Sequence, residues 1–149
     1  MLKASEVTAA VVAKFRAVPE LVEALGSFER IYAYTEEFPY ETNREAAVRA
    51  MPAGSVLVVW SGLIAGRQNW EHLIDIYIRP SERATSETIA GYLLDGTATG
   101  DPQRLYDMPL HASCLPLVHR SLAPLPVAIA ENATVEFWNW SFTLPEIGG

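Results

Sequence analysis

His111, Cys114 and His119 come closest in type and spacing to a metal site in this chain. Imidazole and thiolate both ligate zinc, but a structural site takes four ligands and a catalytic one three plus water. Cys114 is the only cysteine, His72 the only other histidine, and Pro116 breaks any helix that could align the three. The expectation is one buried thiol and two half-exposed imidazoles, with no metal and no cofactor. His72 and Asp75 offer a base and an orienting carboxylate. Three residues apart on a strand, however, they point to opposite faces and cannot bond to each other. They read as surface charges on a half-exposed ribbon. Glu36, Glu37 and Glu41 share one loop, whereas glycoside hydrolysis needs two carboxylates on a rigid frame. Gly62 and Gly66 lack the GxGxxG or GKS/T context of a phosphate loop and suit a hairpin connection. Residue chemistry therefore points away from an enzyme.

The elements that would hold these residues are legible in the periodicity. Ser5 is the expected N-cap of a first helix, with Val7, Val11, Phe15 and Val18 on one face. Pro19 suits the first position of a second helix, closed by Gly26. Phe28 to Tyr34 reads as a short strand and Thr35 to Glu41 as a polar loop. Thr42 and Glu45 have capping-box spacing ahead of a short helix that Met51-Pro52-Ala53-Gly54 stops. Ser55 to Trp60 then reads as a buried strand. Trp70, His72, Ile74, Ile76 and Ile78 alternate with Glu71, Leu73, Asp75, Tyr77 and Arg79, the period of a second strand. Ile89, Tyr92 and Leu93 mark a helix ending at Gly96. Leu115, Val118 and Leu122 suggest another helix, limited by Pro109 and Pro116. Pro124 and Pro126 confine a Val127–Ile129 strand to a sheet edge. After a turn at Glu131-Asn132-Ala133, Thr134 to Leu144 is a long strand. Trp138, Trp140, Phe142 and Leu144 lie on one of its faces, and Asn139, Ser141 and Thr143 on the other. The sum is a single α+β domain over 1–149. It has a mostly antiparallel sheet of four to five strands, with the N-terminal helices and one further helix packed on one face.

Composition sets further bounds. The 149 residues are enough for a core, and 50% are hydrophobic. A net charge of −7, with 11 scattered basic residues, argues against tight binding to a phosphate backbone. The apolar run Val56 to Trp60 falls far short of the roughly 20 residues that span a bilayer. The first residues lack a signal-peptide core, and one cysteine fits a reducing cytoplasm. Four tryptophans and six tyrosines are an excess suited to a core or to subunit contacts.

The order of elements carries a resemblance. An N-terminal helix pair leads to a loop and a short helix ending Ala-Met-Pro-Ala-Gly. It continues into Ser-Val-Leu-Val-Val-Trp-Ser-Gly, a gap, and Trp-Glu-His-Leu-Ile-Asp-Ile-Tyr-Ile-Arg. Over Ser5 to Gly96, and again in the strand Val135 to Leu144, the chain resembles the tail terminator and neck proteins of long-tailed bacteriophages. Residues 97–126 match nothing in them and read as an elaboration. The resemblance implies a non-enzymatic virion protein, assembled in the host cytoplasm, that forms a ring, expected to be a hexamer. Its partners would be further copies of itself, the tail tube protein and the head–tail connector, with DNA passing through the lumen unbound and no membrane contact. The expected subunit contacts are Phe38, Tyr40, Arg44, Trp138 and Trp140. Alternatives are another neck or head-completion subunit and, in a different class, a ligand-binding or enzymatic domain with a pocket lined by Trp138, Trp140 and tyrosines.

Overall fold

The computed structural model describes residues 1–34, 40–66, 69–96 and 104–147, and for 40–42 and 106 the backbone alone. Helix α1 (Ala4–Arg16) buries Val7, Val11 and Phe15. It starts one residue before Ser5: Lys3 is the N-cap, and the Glu6 carboxylate takes its backbone N–H at 2.8 Å. Pro19 opens α2 (Pro19–Leu25), and Gly26 closes it at φ 92°, a left-handed cap that glycine adopts without steric cost. The strand expected over Phe28–Tyr34 is shorter. Ser27 accepts from the Glu29 N–H, and this local turn competes with extension. Phe28–Arg30 therefore form a 3-10 turn, and only β1 (Ile31–Ala33) is extended.

Helix α3 (Tyr40–Arg49) takes in Thr42, which is thus inside the helix and not its cap. The central ribbon is β2 (Ser55–Ala65) against β3 (Trp70–Arg79), antiparallel, with a bulge between Trp60 and Gly62. Next come α4 (Ser86–Asp95) and two 13-residue strands, β4 (Val118–Ala130) and β5 (Ala133–Pro145). The spacing of Leu115, Val118 and Leu122 suggests a helix, but Val118 and Leu122 lie in β4 and Leu115 in the irregular segment before it. Pro124 and Pro126 cannot sit in a helix interior, while a strand paired on one side tolerates them. The last part of the expected elaboration, 118–126, is thereby part of the sheet; residues 97–103 lie outside the described ones.

Among the described residues the sheet has five strands in the order β1-β2-β3-β5-β4, with only β1 and β2 parallel. One face packs α1, α2 and α4 over Val56, Val58, Ile74, Ile76, Ile78, Trp140, Phe142 and Leu144. The other face carries a smaller cluster, in which Val48 and Met51 meet Leu57, Val59, Val127 and Phe137. This is the α+β architecture expected from the periodicity, with α3 added on the second face.

Candidate interaction surface at one end of the sheet

His72 stands on β3 facing the larger core and is 1% exposed. The expectation of a surface charge there is overturned, because the ring finds partners on both sides. The Trp60 indole Nε1 donates to His72 Nδ1 at 3.0 Å. An indole N–H can only donate, so Nδ1 accepts and the hydrogen of the neutral ring sits on Nε2. That hydrogen points to Glu146 Oε1, 3.0 Å away. The same carboxylate oxygen accepts the backbone N–H of Leu2, and the Glu146 backbone N–H donates to the Trp70 carbonyl. Burial raises the Glu146 carboxyl, but the His72 hydrogen bond, the Leu2 N–H and the nearby charges outweigh it, and the net shift is downward. Both ends of the chain are thus tied to β3 through one buried carboxylate. Asp75 faces the opposite side, as strand geometry requires. It accepts from the Ser61 hydroxyl, and Ser61 in turn accepts from Arg44 Nη2 at 2.7 Å.

The same end of the sheet collects exposed apolar side chains. Among the described residues seven large apolar side chains are exposed. Phe28 is covered on one face by the Arg16 guanidinium, 5.1 Å from the ring centre. The other six are Met1, Ile64, Trp70, Leu115, Val118 and Ile147. Register sets all six at or beside the strand ends, with Trp70 on the core face of the sheet and Ile64 and Val118 on the other face. Ile64 pairs with Glu71, Ala65 with Trp70, Glu71 with Pro145, and Val118 with Thr143. Leu115 N–H bonds the Pro145 carbonyl, and Ile147 N–H bonds the Ser113 carbonyl. The cluster spans the tips of four strands, with Trp70 41%, Val118 51% and Ile147 56% exposed. Strands lie about 4.8 Å apart, so it wraps an end roughly 15 Å wide. No known protein family and no curated protein matches this chain.

Of the residues expected to make subunit contacts, the described side chains of Arg44, Trp138 and Trp140 lie away from this end. Trp140 is 1% exposed, lying between Phe15 and Phe142, so it belongs to the core and offers nothing to a neighbour. Trp138 is half-buried against the same cluster. Arg44 is held in the Ser61–Asp75 network, 3.9 Å from the carboxylate, at the edge of a groove of about 350 Å³ lined also by Val48, Arg49, Tyr77, Leu125 and Val127. There burial raises the Tyr77 hydroxyl above its ordinary value despite Arg44. Phe38 and the loop acids Glu36 and Glu37 lie outside the described residues, as do the side chains of Tyr40 and Glu41.

The three residues of the metal reading have separate attachments. His111 Nδ1 accepts from the Ser113 N–H at 2.9 Å, and His119 Nδ1 accepts from the Trp140 indole at 3.0 Å. Cys114 is buried, its thiol raised to about 11 by burial and by the Glu146 charge, so it is not a reactive thiolate at neutral pH. Among the described residues no three His, Cys, Asp or Glu side chains are grouped to hold a metal ion. The residues that sequence reasoning missed are Ile64, Leu115 and Ile147 at the patch and the Glu146 partner of His72. The patch leaves no periodic signal, since it arises where strand ends converge.

Proposed function

We propose that this chain is a structural subunit that assembles into a ring, terminating the tail tube of a long-tailed bacteriophage and joining it to the head. The observation that carries the assembly part is the apolar end of the sheet: a single chain leaves six large apolar side chains exposed around the strand ends, on both faces. The α+β sheet with its N-terminal helix pair has the element order of the resemblance, which supplies the phage context. The acidic balance, 18 Asp and Glu against 11 Lys and Arg, suits a lumen through which DNA slides. A ring needs two different surfaces in contact; the apolar end supplies one, and Arg44 and Arg49 stand beside a second, concave one.

Native mass spectrometry over a range of concentrations tests this. Wild type should form closed higher oligomers, and Trp70→Glu with Val118→Glu should weaken them at least tenfold while the circular dichroism spectrum is kept. A wild-type chain that stays monomeric throughout and fails to join purified tail tubes refutes it. The groove beside Arg44 favours a second reading, a small ligand-binding domain. That reading requires a monomer or dimer whose melting temperature rises with a small molecule seated against Tyr77.

A further inference from the structure

We propose that His72 and Glu146 form an acid-released latch that fastens both chain ends to the sheet and so sets the shape of its apolar end. Four attachments meet at the pair. Trp60 on β2 holds the imidazole at Nδ1, the imidazole holds Oε1, Leu2 holds the same oxygen, and the Glu146 backbone is bonded to Trp70 on β3. Cys114 adds an antiparallel bridge to Glu146 from the segment before β4. Met1 and Ile147, two of the six exposed apolar residues, are each next in sequence to a latch residue, Leu2 and Glu146.

Among the described residues, the charged and titratable groups that act on the pair include the Met1 amino group from the N-terminal segment and the Cys114 thiol from the segment before β4; from β2 the non-titrating Trp60 indole faces it. Ionised, the carboxylate draws in the Leu2 N–H and the imidazole N–H together. Once it takes a proton, both become bonds to a neutral acceptor, and the attraction to the amino group is lost. A proton arriving on His72 Nδ1 would displace the Trp60 hydrogen, since two donors cannot share one lone pair. Imidazolium beside carboxylate still attracts, so release waits for the carboxyl proton. The latch itself is independent of the ring; its consequence for assembly rests on the reading above.

Amide hydrogen exchange of the full chain between pH 7 and pH 4, corrected for intrinsic rates, tests the latch. The Leu2 and Glu146 amides should lose protection about tenfold in acid, as a local opening does, while Ile76 in the core keeps its protection. His72→Gln, whose amide can both accept from Trp60 and donate to Glu146, should keep the loss. Glu146→Gln should show equal exchange at Leu2 at both pH values. Unchanged protection of Leu2 in wild type overturns the latch, as does loss in step with Ile76 or a pH dependence surviving in Glu146→Gln. Sedimentation of the same wild-type samples reads association separately. Release without a change in association leaves the latch standing and counts against this end as the ring contact.

Discussion

The chain contains two tryptophan–histidine pairs with the same donor and acceptor atoms, indole Nε1 to imidazole Nδ1, and the same 3.0 Å separation. Trp60–His72 lies in the interior and is completed by Glu146. Trp140–His119 joins a buried indole to an exposed ring on the edge strand β4. Identical bonds therefore have different worth. At His119 water can replace the imidazole, because the ring stands at the surface. At His72 nothing but protein surrounds the ring, so loss of a partner leaves a polar group unpaired in the core.

The largest expected effect breaks the interior pair. His72→Ala leaves Glu146 buried and ionised without its main partner and the Trp60 indole without an acceptor. It should cost about 3 kcal/mol in urea unfolding, the scale for leaving a buried charged acceptor without its donor; a loss under about 1 kcal/mol would mean that water reaches the site. The next effect concerns acid. The folded chain holds Glu146 below the usual carboxylate range, against the push of burial, through His72, Leu2 and the Met1 amino group. As pH falls the unfolded chain takes up this proton first. The contribution of Glu146 is therefore whole above the usual carboxylate range and is lost as pH drops through the folded value. Urea midpoints of wild type should fall more steeply than those of Glu146→Gln between about pH 5 and pH 3. The smallest effect is at the edge: His119→Ala should cost less than about 1 kcal/mol, the scale of one replaceable hydrogen bond. A cost equal to that of His72→Ala would erase the distinction between the pairs.

Much of the fold was legible because β3 and β5 alternate cleanly and their turns are marked by residues with local physical roles. Asn132, at φ 63°, takes the left-handed position of a two-residue hairpin turn that its side chain tolerates. What was not legible depends on distance. Alternation places His72 on the inward side of β3, but only Glu146, 74 residues away, makes burial of an imidazole affordable there. The helical spacing of Leu115, Val118 and Leu122 yields to pairing with β5, which no local window contains. The apolar end combines residues from the strand tips and both termini, so no single segment announces it. Trp140, expected at a subunit contact, alternates with Phe142 and Leu144 on the inward face, and of the two roles its aromatic ring suits it fills the core one.

The hairpin of β4 and β5 has a consequence for how the chain reaches this structure. Its two long strands are joined by two residues, so its pairings, beginning with Ala130 against Ala133, close only short loops. The β3–β5 pairing sets Ile76 against Trp140, more than sixty residues apart, and must wait for a much longer closure. Hairpins form in about 1–10 μs, so β4–β5 should be the platform on which the β2–β3 ribbon docks late. The seam between β3 and β5, with Glu146 just beyond it, would then be the last part of the sheet to close and the first to open under load.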